Sequence, residues 1–206
     1  MKYNLPGLQA QMKMAPAPLD GKISNKKIYK TGIDTSDSGV ILLLYPSENH
    51  SLEIVLTLRT NSIAHGGQIS LPGGLAEAGE TPEETALREM NEEIGVPEKN
   101  VRVVGNLTKL YLDRSDNLIT PVVGTLQQKP EFRINPYEVE EVFSVNLRQL
   151  TEQNNLVREP WTLRDQTYEV PYWNIHRKVP LWGATAMILS EFLELYREYT
   201  QQNDQN

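Results

Sequence analysis

One segment, residues 74–96, constrains this chain more than any other. It reads GLAEAGETPEETALREMNEEIGV, a glycine-bearing loop followed by a helix-forming run that carries the carboxylates of Glu89, Glu92 and Glu93. Like charges one helical turn apart destabilise an isolated helix by roughly a few tenths of a kcal/mol. Carboxylate oxygens are also the ligands that hard divalent cations prefer. The segment therefore predicts a helix whose acidic residues hold a metal ion.

The limits of this helix are set by local capping signals. Thr81 is a good N-cap residue, Pro82 suits the first helical turn, and Glu84 completes a Thr-x-x-Glu capping box. Gly95 provides the stop signal. The pattern predicts a helix over 82–94.

The helical period separates the three glutamates. At 3.6 residues per turn, one face is apolar and must be core. Its residues are Ala86, Leu87, Met90 and Ile94. Glu89 and Glu93 lie together at one margin of that face, and Glu92 lies further round. Two of the carboxylates are thus expected at the boundary between core and solvent, where water screens them poorly and a compensating cation is needed.

Length, charge and cysteine usage exclude several classes of protein. The 206 residues suffice for one domain with a proper core. The absence of cysteine excludes disulfides and thiolate metal sites, and favours a cytoplasmic location. A net charge of -7 argues against bulk binding of nucleic acid. The first residues contain no continuous apolar run, which predicts neither a signal peptide nor a membrane anchor.

Apolar runs separated by turn residues predict a sheet. The strand-like segments are 38–46, 51–60, 68–71, 101–112, 119–126, 141–147 and 168–175. A second amphipathic helix is expected from near Trp182 to about Tyr196. These elements predict a single α/β domain over 31–198 with a mixed sheet. A lysine-rich arm, 1–30, precedes the domain and packs on it or flanks it, and a frayed polar tail, 199–206, follows.

The acidic segment matches a known pattern at every fixed position. The pattern is Gly, five residues, Glu, seven residues, Arg-Glu, a hydrophobic residue, any residue, Glu-Glu, any residue, Gly and an aliphatic residue, and it runs here from Gly74 to Val96. This is the Nudix box, and the chain resembles the Nudix hydrolases. The resemblance implies an α/β/α sandwich with a mixed β-sheet. It also implies hydrolysis of a diphosphate linked to another moiety, with Mg²⁺ or Mn²⁺ as cofactor.

Roles for the acidic residues follow from the resemblance. It implies that Glu89, Glu92 and Glu93 bind the metal, Glu89 and Glu93 most directly. Glu80 is then an auxiliary ligand, and Arg88 orients the glutamates by ion pairing. On this interpretation Glu92, Glu93, Glu80 and Arg88 are also the residues that support catalysis.

A general base is expected opposite the helix, because Nudix enzymes often supply one from a loop. The acidic segment NPYEVEEVF offers Glu138, Glu140 and Glu141. We take Glu140 as the candidate catalytic residue, and the other two remain open.

The flanking segments are similar to the coenzyme A pyrophosphatase subgroup of the family. Residues 56–74, LTLRTNSIAHGGQISLPGG, look like the segment that marks the subgroup. Within it Arg59, His65, Gln68 and Gly73 are the implied substrate-binding residues. Further similar segments are 5–16, 120–124, 135–143 and 179–189.

The subgroup resemblance implies a substrate. It indicates hydrolysis of coenzyme A, and of acyl-coenzyme A, to 3′,5′-ADP and 4′-phosphopantetheine. Two places depart from the pattern: Ile63 or Ala64 stands where a second arginine is usual, and Leu71 where an aromatic is usual. The alternatives are a Nudix hydrolase of ADP-ribose, dinucleotides or nucleoside triphosphates, and a non-catalytic nucleotide-sensing domain. The expected partner is a small nucleotide-diphosphate, without nucleic acid or membrane, and both monomer and homodimer remain open.

Overall fold

A computed structural model describes residues 4–20, 35–48, 51–62 and 66–203. Its helices and strands are, in chain order, α1 (Gly7–Met12), β1 (Ala17–Pro18), β2 (Ser36–Pro46), β3 (Leu52–Arg59), β4 (Ile69–Ser70), β5 (Gly73–Leu75), α2 (Pro82–Ile94), β6 (Arg102–Asn106), β7 (Leu110–Leu112), β8 (Asn117–Thr125), β9 (Val139–Asn146), α3 (Leu147–Thr151), β10 (Leu156–Leu163), β11 (Gln166–Trp173) and α4 (Gly183–Asn203). None of the helices within these residues is both long and apolar enough to cross a membrane.

Eight of the strands form one mixed sheet. Its order is β4-β3-β2-β8-β6, and β5, β7 and β9 pair with β2, β8 and β3 respectively. The central pair, β2 and β8, is parallel, whereas the other pairings in this sheet are antiparallel. A smaller antiparallel sheet has the order β1-β11-β10. The prediction of a mixed sheet is confirmed.

Both faces of the main sheet are covered by helices. Successive side chains of a strand point to opposite faces, so a central strand with two buried faces reads as an unbroken apolar run. In β2, Ile41 and Leu43 pack in a cluster with α2, whereas Leu42 and Leu44 pack in a second cluster with α4. The result is the α/β/α sandwich that the sequence predicts.

Helix α2 has the limits that its capping signals predict. The Oγ1 of Thr81 accepts a hydrogen bond from the backbone N–H of Glu84 at 3.3 Å, and the Glu84 carboxylate accepts one from the Thr81 N–H at 2.8 Å. At the other end Gly95 adopts the left-handed conformation, with φ 71°, that glycine tolerates best. The caps thus set the ends of α2, and its buried apolar residues Ala86, Met90 and Ile94 set the face that packs on the sheet.

The two chain ends differ in part from expectation. Helix α4 continues to Asn203, so residues 199–203 of the predicted frayed tail are helical, because neither glycine nor proline follows Gly183 to stop the helix. In the predicted arm, residues 4–20 pack on the domain through contacts of α1 with α4. The rest of the arm, with five of its six lysines, lies outside the described residues. The domain boundaries themselves stay predictions.

Candidate active site

Glu89 and Glu93 lie one turn apart on the side of α2 that faces β5. The Glu93 side chain is only 2% exposed. Its Oε2 accepts a hydrogen bond from the Gly73 N–H at 3.1 Å, and its Oε1 lies 3.4 Å from Nη1 of Arg59. The Glu89 side chain is 16% exposed. The prediction that these two carboxylates lie at the core boundary is confirmed.

Gly74 explains why the motif begins with glycine. A Cβ atom added to this residue would lie 2.4 Å from Cδ of Glu89, far inside van der Waals contact. Any larger residue would push the Glu89 carboxylate away from β5. The first residue of the motif therefore creates the space in which the first carboxylate of the site lies.

Arg88 connects the remaining acidic residues of the motif. Its Nε donates to Glu80 at 2.6 Å, and its Nη1 donates to Glu89 at 2.8 Å and to Glu92 at 3.2 Å. Its Nη2 donates to the carbonyl of Leu75 at 3.1 Å. These bonds hold the pKa of Glu80 down at about 2 and raise the pKa of Arg88. Arg88 is therefore a fixed cation that orients the glutamates, as the sequence predicts.

A third carboxylate completes the group, and it comes from outside the motif. Carboxylate oxygens of Glu89, Glu93 and Glu138 all lie within 4.8 Å of one another. Burial raises the pKa of Glu93 to about 7 and also raises that of Glu89, and the like charges of the group add to both effects. Three convergent carboxylates, two of them with raised pKa values, offer the hard oxygen donors that fit a divalent cation such as Mg²⁺ or Mn²⁺.

Glu140 does not belong to the three-carboxylate group, and its catalytic role stays a prediction. The pairing of β9 with β3 shifts by one residue next to Arg59, so Glu140 is an extra residue without a partner opposite it. Its carboxylate accepts a hydrogen bond from Lys178 Nζ at 2.6 Å, and the Glu141 carboxylate lies 3.6 Å from Nη2 of Arg177. Of the three candidates for the base, the residue at the site is Glu138.

Glu92 lies apart from the three-carboxylate group. Its side chain is 55% exposed and pairs with Arg88, consistent with its place further round the helix. Its role as a metal ligand stays a prediction.

The predicted substrate residues are described in part. Arg59, Gln68 and Gly73 all line the cleft that contains the carboxylates. The Gly73 N–H donates to the Glu93 carboxylate and is therefore not free for substrate. His65 lies outside the described residues, as does the rest of 63–65.

The cleft has a volume of about 770 Å³ and two chemically different walls. One end is acidic. An apolar wall consists of Ile69, Leu112, Ile119, Trp182, Ala184 and Ile188. Motif matching missed this wall because its residues come from five separate elements and turns. The Trp182 ring meets Trp161 edge-on at 5.3 Å between ring centroids, which fixes its orientation.

A larger cleft, of about 1010 Å³, lies at the C-terminal end of α2. Its walls carry Lys99, Arg102, Lys129 and Arg133 but a single acidic residue, Glu131. One carboxylate among four cations does not make a divalent-metal site. The smaller cleft is therefore the candidate active site.

Comparisons with known proteins identify the family of this chain. The NUDIX domain model matches residues 35–165, more than half of the chain. Nudix hydrolase 15, mitochondrial, of Arabidopsis thaliana is 33% identical over 159 residues, which cover 74% of this chain and 55% of that protein. Peroxisomal coenzyme A diphosphatase ndx-8 of Caenorhabditis elegans is 32% identical over 156 residues, which cover 74% of this chain and 65% of that protein. The match thus spans somewhat over half the length of these relatives.

Solved structures agree on the fold. RenU, a Nudix hydrolase from M. smegmatis, superposes with a TM-score of 0.56 at 19% identity, covering 82% of this chain and 87% of that one. At this identity the likeness concerns the fold alone. Fold, motif and family model agree, and the chain belongs to the Nudix family.

Proposed function

We propose that this protein hydrolyses the diphosphate bond of coenzyme A, and of acyl-coenzyme A, with Mg²⁺ or Mn²⁺ as cofactor. From coenzyme A the products are 3′,5′-ADP and 4′-phosphopantetheine, and from acyl-coenzyme A they are 3′,5′-ADP and acyl-4′-phosphopantetheine. The observation that carries the hydrolase proposal is the convergence of Glu89, Glu93 and Glu138 in one cleft of a Nudix domain. The choice of coenzyme A is supported by the name of the nematode relative and by the residues that flank the motif.

Glu89 and Glu93 hold the cation in this proposal. When bound, the cation neutralises the diphosphate and makes its phosphorus more electrophilic. The protein fixes both ligands beforehand: Arg88 donates to Glu89 at 2.8 Å, and the Gly73 N–H donates to Glu93 at 3.1 Å. Ligands held in this way need little reorganisation when the substrate arrives.

Glu138 takes the proton of the attacking water. The water oxygen bonds to one phosphorus, the bond from that phosphorus to the bridging oxygen breaks, and the bridging oxygen leaves on the other phosphate. Glu138 suits the base because it comes from a different element than the α2 glutamates. Its backbone carbonyl accepts from the Thr60 N–H at 2.9 Å, and its carboxylate accepts from Asn135 Nδ2 at 3.1 Å.

The apolar wall favours a substrate with an apolar arm. Coenzyme A carries pantetheine, and its acyl derivatives carry a hydrocarbon chain, whereas a nucleoside triphosphate ends in phosphate. Trp182, Ile69 and Ile188 offer such an arm a surface beside the carboxylates. Burial of hydrocarbon contributes about 0.8 kcal/mol per methylene group. We therefore expect acyl-coenzyme A to bind more tightly than coenzyme A.

A substrate panel tests the proposal. The purified protein is incubated with Mg²⁺ or Mn²⁺ and with coenzyme A, an acyl-coenzyme A, ADP-ribose, NADH or nucleoside triphosphates, and the products are resolved by chromatography. Release of 3′,5′-ADP from coenzyme A is the expected result. Turnover of ADP-ribose alone would refute the substrate, and binding without turnover of any of them would favour a nucleotide-sensing domain.

A further inference from the structure

Arg114 lines the same cleft as the carboxylates and has no role in the reaction described so far. It lies in the turn between β7 and β8 and is exposed. Within the described part of the chain it forms no ion pair, although the protein carries a net charge of -7. An arginine that opens into a substrate cleft without an acidic partner is available to an anion.

The turn that carries Arg114 is held in place by Asp116. The φ of Asp116, 45°, is in the left-handed region, which aspartate and asparagine adopt more readily than most residues other than glycine. Its Oδ1 accepts hydrogen bonds from Thr35 Oγ1 at 3.0 Å and from Tyr111 Oη at 2.8 Å. Its carbonyl accepts one from the Ser36 N–H at 2.9 Å. Arg114 is thus presented from a fixed turn.

Strand register places this turn at a defined distance from the metal site. Val40 of β2 pairs with Gly73, whose N–H binds a metal-site carboxylate. Four residues earlier, Ser36 pairs with Asn117, which follows the turn directly. Four residues of strand span about 13 Å. The guanidinium can therefore reach a group that lies several bonds away from the diphosphate.

The surroundings of Arg114 suit a phosphate. Beside Arg114 the cleft is lined by neutral polar residues, whereas Asp113 and Asp116 of the same turn do not line it. The neutral residues are Ser36, Ser38, Ser115 and Asn117. Ser38 Oγ donates to Oδ1 of Asn117 at 3.0 Å, which orients the amide of Asn117 so that its Nδ2 is left to donate. One cation with neutral donors around it is the composition that binds phosphoryl oxygens.

We propose that Arg114, together with Ser115 and Asn117, binds a phosphomonoester of the substrate that is remote from the diphosphate. The identity of that group rests on the proposed function: in coenzyme A it is the 3′-phosphate. The turn then makes the protein select coenzyme A over its analogue without the 3′-phosphate. Asp116 acts as a positioning residue for this contact.

Two nucleotides that differ by this one phosphate test the inference without any turnover. Binding of 3′,5′-ADP and of 5′-AMP is measured by calorimetry in the presence of Mg²⁺, for wild type, Arg114→Ala and Arg114→Lys. Wild type should bind 3′,5′-ADP about tenfold more tightly than 5′-AMP, because a charge-assisted contact is lost with the phosphate. Arg114→Ala should abolish the preference, and Arg114→Lys should retain part of it.

Arg164→Asn is the matched control. Arg164 lines the neighbouring cavity together with Arg114, but it does not line the carboxylate cleft. Its φ is 59°, a conformation that asparagine tolerates, so the variant removes the charge without adding strain. The preference for 3′,5′-ADP should be unchanged in this variant. Equal weakening of the binding of both nucleotides in Arg114→Ala, or the same loss of preference in Arg164→Asn, would show that Arg114 acts only through its general positive charge. Either result would overturn the inference.

Turnover of coenzyme A and of dephospho-coenzyme A is measured in parallel. Arg114→Ala should raise KM for coenzyme A about tenfold and leave kcat/KM for dephospho-coenzyme A nearly unchanged. A wild type that turns over coenzyme A but has no preference for 3′,5′-ADP would refute the role of Arg114 and leave the proposed function standing. A preference for 3′,5′-ADP that depends on Arg114, without turnover of coenzyme A, would support the role of Arg114 and refute the proposed function.

Discussion

Glu93 and Glu191 are almost equally buried, but Glu191 is surrounded by hydrogen-bond donors whereas Glu93 faces other carboxylates. Glu93 on α2 is 2% exposed and Glu191 on α4 is 0% exposed. The Glu191 carboxylate accepts hydrogen bonds from the Gly7 N–H, Gln11 Nε2, the Thr108 N–H and Thr108 Oγ1, at 2.7 to 3.3 Å. The Glu93 carboxylate has one backbone N–H and an arginine at 3.4 Å, and it faces two further carboxylates.

The difference distinguishes a structural carboxylate from a functional one. A buried charge costs several kcal/mol unless hydrogen bonds or opposite charge compensate it. The protein compensates Glu191 fully, and the donors tie α1 and the loop before β7 to α4. It leaves Glu93 short of donors, and in the proposed function a divalent cation supplies what is missing. Burial of a carboxylate alone therefore does not identify a functional site, whereas a shortage of hydrogen-bond donors around the buried carboxylate does.

The largest expected effect follows from removing the charge at Glu93. Glu93→Gln should lower kcat/KM for coenzyme A by about a thousandfold, because the cation loses its most buried ligand. Steady-state kinetics measures the loss, and circular dichroism verifies that the variant is folded. Glu191→Gln is the control on the other helix and should keep its activity per folded molecule. Near-normal turnover in Glu93→Gln would remove Glu93 from the site.

The second-largest expected effect is the loss of stability when Glu191 is replaced. Glu191→Ala removes the acceptor that Gly7, Gln11 and Thr108 share, so it should lower the free energy of unfolding by about 3 kcal/mol. Urea denaturation measures the change. Glu198→Ala, at an exposed position of the same helix, should stay within about 0.5 kcal/mol of wild type. Equal stability of the two variants would show that the donors around Glu191 contribute nothing.

The choice between Glu138 and Glu140 gives a third test. Glu138→Gln should lower kcat by about a hundredfold, the usual contribution of a general base. Glu140→Gln loses only an exposed pair with Lys178 and should change kcat less than about twofold. Both are measured with coenzyme A at saturating Mg²⁺. A larger loss of kcat in Glu140→Gln than in Glu138→Gln would identify Glu140 as the general base.

The smallest effect is a pH dependence of the metal-free protein. Because the pKa of Glu93 is raised to about 7 in the folded state, the native protein holds a proton that the unfolded chain releases near its usual pKa of 4.5. The free energy of unfolding therefore falls as pH rises from about 4.5 to 7. With chelator present, Glu93→Gln should be more stable than wild type at pH 8, by up to about 3 kcal/mol, and equal to it near pH 4. A constant difference across this range would contradict the raised pKa.

Local signals made α2 predictable. Thr81, Glu84 and Gly95 act within one turn of the helix ends, so the sequence contains all that is needed to place Pro82–Ile94 and the margin on which Glu89 and Glu93 lie. The unbroken apolar run of β2 likewise predicted a strand, whereas the burial of both its faces is seen only in the structure.

Features that depend on contacts between distant segments of the chain could not be predicted from the sequence. Glu138 and Glu140 are equivalent in sequence, and only the register shift against β3 separates them. Strand β10, Leu156–Leu163, was missed because it carries little apolar alternation and is stabilised by its pairing with β11. Glu191 looks like a solvent-facing residue of an amphipathic helix, because its donors come from chain segments more than 80 residues away.

Binding of Mn²⁺ tests the central comparison most directly. Calorimetric titration of wild type, Glu93→Gln and Glu191→Gln reports whether the carboxylate that lacks donors is the one that holds the cation. We predict that Glu93→Gln weakens Mn²⁺ affinity at least about tenfold, whereas Glu191→Gln binds Mn²⁺ as wild type does. Equal Mn²⁺ affinity in wild type and Glu93→Gln would contradict the account.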